Sequence, residues 1–218
     1  IGAYGSGGPY HSSSIESVLT SINGIKIAYP SNGADLKGLI KSAFYDSNPT
    51  IILEHKGLYW SKIKGTEKAK TIEPDKDYIL PFGIARTVKT AEENENNKIS
   101  IITYGMGVYW SENQYTKSLK NIEIIDIRTL SPIDYDSIFS SVKKCGKCIV
   151  VTEEPKNNSF AQALSGSIQE NCFEYLDAPI KLIGSENIPA IPLNSNLEKR
   201  TLPSAEKVNQ AINDLISY

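Results

Sequence analysis

The sequence is poor in several features that mark particular classes of protein. It has no excess of positive charge, because 23 lysines and arginines stand against 25 aspartates and glutamates, for a net charge of −2. The chain therefore lacks the overall positive charge that would attract nucleic acids or anionic membranes. No apolar run approaches the roughly 20 residues of a membrane-spanning helix. We therefore expect neither a nucleic acid nor a membrane as a partner.

Cysteine is also scarce, with three copies. An odd, small number argues against a disulfide framework and indicates a reducing, cytoplasmic compartment. Cys145 and Cys148 form a C-x-x-C pair, but a zinc site would need a second pair of ligands, which Cys172 alone does not supply. A thioredoxin-like pair lies at a helix N-terminus, whereas this pair leads into a predicted strand. We interpret all three as thiols without a special role.

Apolar and amphipathic segments alternate along the chain, which is typical of an α/β protein. The first half predicts a strand over 25–30, a helix capped by Ser31 and a strand over 50–54, which make a βαβ unit with a parallel sheet. The second half predicts strands at 98–105, 122–127, 148–154 and 180–184, with helices at 110–119, 135–142, from Ser159 and over 203–218. The polar run 61–77 predicts a boundary between domains 1–66 and 75–218.

The segment "GSGGPYHSSSIES" (residues 5–17) contains the histidine His11 on a glycine-rich loop. No strand precedes it and no GxxxxGK[ST] follows, so it does not predict a phosphate-binding loop. Ser13 and Glu16 have the spacing of a capping box, which predicts a helix here. His11 would precede that helix, where the dipole favours a neutral imidazole able to act as a base or hydrogen-bond donor. A loop histidine without chemistry is the alternative.

His55 follows the predicted strand over 50–54, at the end where parallel sheets bind ligands. A solvated loop, with Tyr59 and Trp60 packed against the linker, is an equally good interpretation. This segment therefore leaves a ligand site and a simple loop both open.

Two further groups of polar residues follow predicted secondary structure. Glu153 and Glu154 end a strand and could form an acid site, although partner contacts or helix capping are favoured. Asp46 and Asn48 lie in a turn whose free carbonyls could help them bind a cation, but such turns are usually only turns.

Several segments, in order, resemble one family along nearly the whole chain. "GGPYHSSSIES" (7–17) resembles the glycine and His-Ser-x-Ser segment of the β subunits of thiamine-diphosphate-dependent 2-oxo acid dehydrogenases. Residues 25–59 resemble the next block of that family, "IDIRTLSPIDYDSI" (125–138) its D-L-R-T-L-x-P-x-D signature, and 174–192 and 197–208 its C-terminal blocks. The second serine of His-Ser-Ser-Ser, the polar insertion 92–98 and the C-x-x-C pair depart from the usual pattern.

The resemblance implies a partial pyrimidine-binding-type α/β unit followed by a transketolase C-terminal-type α/β domain. It implies that His11 is the catalytic histidine near the thiazolium carbon of the cofactor, with Tyr10 and Ser12 as cofactor-binding neighbours. It also places Ala43, through its carbonyl, with Asp46 and Asn48 at a structural K⁺ site. The second domain would serve subunit association and docking rather than chemistry.

The implied reaction is oxidative decarboxylation of a 2-oxo acid with acyl transfer to a lipoyl group. Thiamine diphosphate and Mg²⁺ would be held mostly by other segments, so the chain alone is expected to be inactive. It would be the C-terminal part of a β subunit or of a fused α–β chain. Its implied partners are an α subunit or α-like half, a second β copy and the lipoyl-bearing dihydrolipoyl acyltransferase core. A sugar-handling thiamine enzyme (transketolase or deoxyxylulose-phosphate synthase) and a non-catalytic docking module are the alternatives.

Overall fold

A computed structural model describes residues 1–59, 61 and 63–218; Trp60, named above with the linker, lies outside this set. The strands of the described residues are β1 (Lys26–Ala28), β2 (Thr50–Ile52), β3 (Arg86–Lys89), β4 (Ile99–Thr103), β5 (Ile122–Asp126), β6 (Thr129–Ser131), β7 (Lys147–Pro155) and β8 (Lys181–Ser185). They form one sheet in the order β2-β1-β6 and a second in the order β3-β5-β4-β7-β8.

Helices connect and cover these strands. They are α1 (Gly8–His11), α2 (Glu16–Thr20), α3 (Gly33–Tyr45), α4 (Lys56–Tyr59), α5 (Gly107–Ser111), α6 (Gln114–Ser118), α7 (Tyr135–Cys145), α8 (Phe160–Cys172), α9 (Ser195–Thr201) and α10 (Ala205–Ile216). Single 3-10 turns lie at Glu67–Ala69 and Phe173–Tyr175. In the part of the chain that is described, no helix is long and apolar enough to cross a membrane.

The predicted α/β architecture is confirmed. β1, α3 and β2 form the expected parallel βαβ unit, with Ile27 opposite Ile51. In the second sheet β5, β4, β7 and β8 are parallel, as expected, while β3 pairs antiparallel with β5 at the edge. β3 and β6 are absent from the strands predicted from the sequence, because each has only three or four residues and little apolar character.

The second sheet is covered on both faces, which explains its nearly continuous isoleucine and valine runs. Successive side chains of a strand point to opposite faces. Thus Ile102 packs with α7 and α8 on one face, through residues such as Val142 and Leu164. Ile101 packs with α10 on the other face, through residues such as Ile212.

Three local predictions about the helices are wrong. Asn32, not Ser31, caps α3, because its side chain accepts the Asp35 N–H while the Ser31 hydroxyl turns to Asp126. Helical spacing predicts a buried stripe on α3 made of Leu36, Leu39, Ile40, Ala43 and Phe44. The stripe fails at Ile40 and Phe44, which are exposed, and holds at Leu39. The predicted helix over 110–119 is two short helices, α5 and α6, with Asn113 capping the second.

A network of charges joins the two halves of the chain beside β6. Arg128 lies 3.1 Å from the carboxylate of Asp35 on α3, and Arg86 lies 2.9 Å from Asp126. Ser31 donates its hydroxyl to Asp126 at 2.6 Å. Burial raises the pKa of Asp126, although the neighbouring Arg86 favours its charged form. Since β6 also pairs with β1, the first sheet is completed by a strand from the second half.

Replacing Asp126 with alanine should weaken this junction. The change removes the acceptor of both Ser31 and Arg86, so we expect the free energy of unfolding to fall by about 2 to 3 kcal/mol in urea titrations. The matched control is Glu92→Ala, which removes the exposed ion pair with Lys120 and should cost less than about 1 kcal/mol. Equal losses in the two variants would contradict a structural role for the buried network.

Candidate functional site

The loop that carries His11 places its three predicted site residues in different surroundings. His11 is exposed at the end of α1, and Tyr10 beside it is 82% exposed. Ser12 points inward, is 2% exposed, and its hydroxyl has no hydrogen-bond partner among the described residues. His11 and Tyr10 can therefore contact another molecule, whereas the side chain of Ser12 is buried beneath the loop.

The predicted capping box at Ser13 is wrong. Ser13 is exposed, and α2 begins at Glu16 after Ile15, with no side-chain cap among the described residues. The cap comes from the second half of the chain instead: Ser17 donates its N–H to Glu154 at 2.7 Å. His11 precedes α2 as expected, but it is the last residue of α1 and α2 begins only at Glu16, so the dipole argument for a neutral imidazole no longer applies.

Ile15, Val18, Leu19 and Ile22 have the i, i+3, i+4, i+7 spacing that predicts an apolar stripe on this helix, and this prediction is also wrong. Ile15, Val18 and Ile22 are exposed, and only Leu19 packs against the core. The buried face of α2 is marked by the polar Glu16, which hydrophobic periodicity cannot detect.

His55 is a buried residue with both ring nitrogens engaged, so a solvated loop is wrong for it. Gly57 donates its N–H to Nδ1 at 3.1 Å, which leaves the proton on Nε2. Nε2 lies 2.8 Å from Oε2 of Glu153, and Oε1 of Glu153 accepts the Ala3 N–H at 2.5 Å. His55 thus orients Glu153, and Glu153 holds Ala3 in the segment that leads to His11.

Glu154, the second predicted acid, lies between two helix N-termini. One carboxylate oxygen accepts the Ser17 N–H of α2, and the other accepts the Phe160 N–H of α8 at 2.8 Å. The sequence left an acid site, partner contacts and helix capping open for the two glutamates, and Glu154 is a helix-capping residue.

Glu16 is the member of this acid cluster that the sequence analysis missed. It is fully buried, and neither carboxylate oxygen has a hydrogen-bond partner in the described part of the structure. Burial raises its pKa well above the usual range, and the neighbouring Glu154 raises it further. Its spacing from Ser13 suggested a capping residue, and only the folded chain shows that it faces two other glutamates.

A cavity of about 840 Å³ opens at the C-terminal ends of β1 and β2, where parallel sheets bind ligands. It lies between α3, α4 and residues 69–74, and His55 and Glu54 reach its wall. Lys37, Lys41 and Lys70 also line it, so its charge is mixed. The strand ends are thus the concave side of this half of the molecule.

The residues proposed for K⁺ cluster at the end of α3. Asp46 donates its N–H to the Ala43 carbonyl at 3.3 Å, and Asn48 donates backbone and side-chain N–H groups to the Asp46 carboxylate at 2.9 and 2.8 Å. Lys26 binds the same carboxylate, and this contact, followed by the bonds from Asn48, lowers the pKa of Asp46 to about 2. The carboxylate therefore already has a cationic partner from within the chain.

The cysteines provide no second site. All three are free and buried, and burial raises the pKa of Cys145 to about 12. Across residues 1–59, 61 and 63–218, no group of three His, Cys, Asp or Glu side chains is arranged to hold a metal ion.

Comparison with known protein families accounts for nearly the whole chain. The profile of the transketolase C-terminal domain matches residues 88–208, and that of the transketolase pyrimidine-binding domain matches residues 1–61. The chain belongs to the transketolase domain family. The resemblance drawn from the sequence is confirmed at this level.

Curated relatives narrow the similarity to one branch of that family. The chain is 34% identical to the 2-oxoisovalerate dehydrogenase subunit beta of Bacillus subtilis, over 97% of this chain and 62% of the relative. It is 31% identical to the pyruvate dehydrogenase E1 component subunit beta of Rhizobium meliloti, over 93% and 42%. It is 34% identical to the acetoin:2,6-dichlorophenolindophenol oxidoreductase subunit beta of Cupriavidus necator, over 92% and 56%. The chain thus spans about half the length of these relatives.

A solved structure shows the same fold. The chain superposes on a split gene transketolase, described as an inactive beta4 tetramer, with a TM-score of 0.67 and 14% identity, over 95% of this chain and 63% of that one. At this identity the match concerns the fold alone.

Replacing Glu16 with glutamine should stabilise the protein in a pH-dependent way. The folded pKa of Glu16 lies above its unfolded value, so its cost is absent below about pH 4.5 and grows as the pH rises. Glu153, Glu154, Tyr29 and Tyr104 face it, and the Ile1 ammonium, which favours the charged form, has a smaller effect on its pKa than burial and Glu154. We expect Glu16→Gln to raise the Tm at pH 8, by about 2–4 °C for each kcal/mol added to the free energy of unfolding. At pH 5 its Tm should change little. An equal shift at both pH values would contradict a titrating Glu16.

Proposed function

We propose that this chain is part of the decarboxylating first component of a 2-oxo acid dehydrogenase complex. The supporting observation is its similarity, over more than nine tenths of its length, to β subunits named for 2-oxoisovalerate, pyruvate and acetoin. The reaction is the oxidative decarboxylation of a 2-oxo acid with acyl transfer to a lipoyl group. The protein is then a thiamine-diphosphate-dependent enzyme that acts as part of a larger assembly.

In this proposal His11 is the catalytic residue of the chain. Its imidazole is exposed on a loop that packs against buried residues. Such exposure is needed by a side chain that contacts a bound cofactor. Thiamine diphosphate, when bound, would supply the carbon nucleophile of the reaction. His11 would donate or accept a proton during acyl transfer, and Tyr10 and Ser12 would border the cofactor. The exposure of Tyr10 supports this placement, and Ser12 contributes through its backbone and its inward hydroxyl.

The proposal includes two metal ions, K⁺ in this chain and Mg²⁺ in the α subunit or α-like half. Carbonyl, carboxylate and amide oxygens are the donors that K⁺ takes, and Ala43, Asp46 and Asn48 present them within one turn of chain. K⁺ would share the Asp46 carboxylate with Lys26. Mg²⁺ accompanies the diphosphate and is held by the α subunit or α-like half rather than by the residues described here.

The proposed partners are that α subunit or α-like half, a second β copy and the lipoyl-bearing dihydrolipoyl acyltransferase core. Phe44 and Tyr45 on α3 are 81% and 73% exposed, which supports contact with another protein surface. We propose domains 1–66 and 75–218, and a cytoplasmic location, which the three unpaired thiols support. A sugar-handling function rests only on the fold shared with transketolase and ranks below.

Replacing His11 with alanine in the assembled enzyme should lower the rate of lipoyl acylation by about 100-fold or more, because a general acid or base is lost. The measurement is the acylation of a lipoyl domain by the 2-oxo acid. Ser13→Ala is the matched control, since Ser13 is exposed on the same loop and should leave the rate unchanged. Unchanged acylation by His11→Ala would instead favour a docking module.

The K⁺ proposal predicts a difference between two salts. K⁺ at about 100-fold its dissociation constant should raise the Tm of the assembled enzyme by about 5 °C relative to Na⁺ at equal ionic strength. Asp46→Asn should abolish that difference. Glu73→Gln, which changes an exposed carboxylate bound to Lys37, should preserve it. A K⁺ effect that survives Asp46→Asn would place the ion elsewhere.

A further inference from the structure

The His11 loop, defined here as residues 1–17, is held mainly by contacts to distant parts of the chain. Its Gly2 N–H donates to Ser13 at 3.4 Å, a long hydrogen bond within the loop. Three other amides of the loop donate to carboxylates of the second half: Ala3 to Glu153, Ser6 to Glu198 at 3.1 Å, and Ser17 to Glu154. These bonds lie on both sides of His11.

All three acceptors are buried glutamates, which makes the bonds strong and directional. A carboxylate removed from water needs N–H donors, and charge-assisted hydrogen bonds are stronger than neutral ones. Glu153 and Glu154 lie at the end of β7, and Glu198 lies in α9. The loop amides are therefore obligatory partners of these carboxylates, not incidental contacts.

Two glycines bring the loop backbone close enough for these bonds. At Gly2, with φ +85°, an added Cβ would overlap the His55 ring that orients Glu153. At Gly8, with φ +58°, an added Cβ would overlap Leu193, just before α9. Both positions need a left-handed backbone and leave no room for a side chain, so only glycine fits there. The loop backbone therefore packs directly against the parts of the chain that carry the glutamates.

We propose that Glu153, Glu154 and Glu198 are positioning residues that hold His11 in place for acyl transfer, a role that rests on the function proposed above. The loop has little structure of its own beyond α1, which is one turn long. The second domain, to which the family resemblance assigns association and docking, thereby takes part in the chemistry through the loop. His55 assists by fixing the carboxylate of Glu153.

The experiment uses the Glu153→Gln and Glu154→Gln variants of the assembled enzyme. In each, an amide NH₂ replaces one accepting oxygen, so one of the two N–H bonds is lost while size and shape are kept. Glu123→Gln is the matched control, because Glu123 is equally buried on β5 but binds Lys144 and Ala91 rather than the loop. Hydrogen exchange of the Ala3 and Ser17 amides reports the loop directly, without reference to activity.

We expect exchange of these amides to accelerate about 10-fold or more, and kcat for lipoyl acylation to fall by about 10- to 100-fold with KM nearly unchanged. Glu123→Gln should alter neither. Because the glutamates act through His11, adding His11→Ala to Glu154→Gln should lower kcat no further than His11→Ala alone.

Three results would overturn the proposal: unchanged exchange in both variants, an equal fall of kcat in Glu123→Gln, or effects of Glu154→Gln and His11→Ala that multiply independently. If His11→Ala itself leaves acylation intact, the proposed function fails. The exchange data then still decide whether the glutamates hold the loop.

Discussion

A buried carboxylate needs N–H donors in place of the water it has lost, and that need decides how the two halves of this chain meet. Glu153 and Glu154 lie near the end of strand β7 of the second sheet, and most of their donors belong to the first half. The arrangement is reciprocal, because α2 has no side-chain cap from its own N-terminal residues among those described, and Glu154 supplies one. Each half therefore completes hydrogen bonds that the other leaves open.

The charges beside β6 provide a second, independent connection. Arg86 and Arg128 come from the second half, and Asp35 comes from α3 of the first. Here cations face anions, so attraction offsets the cost of burial. At the end of β7, by contrast, glutamates lie together, and N–H groups are the hydrogen-bond donors to Glu153 and Glu154. The charges beside β6 fix the two sheets relative to each other, and the glutamates at the end of β7 fix the His11 loop.

The sequence predicted most of what depends on local pattern. Apolar runs located β4, β5, β7 and β8, and Ser159 caps the helix that was predicted to begin there. It failed where a distant residue replaces a local one: Ser13 looked like a cap, but Glu154 caps α2 from 137 residues away. His55 and Glu153 were noted separately, since nothing in a linear pattern joins residues 98 positions apart.

The acid cluster also explains why its members differ in environment. Three carboxylates packed together would repel one another if all were charged. Glu153 and Glu154 each receive two N–H donors, whereas Glu16 receives none in the described structure and its pKa is raised. A raised pKa favours the neutral form of Glu16, and a neutral carboxyl repels its two neighbours less than a charged one would. The carboxyl that lacks hydrogen-bond donors among the described residues is thus the one whose raised pKa lessens the repulsion at the glutamates that hold the His11 loop.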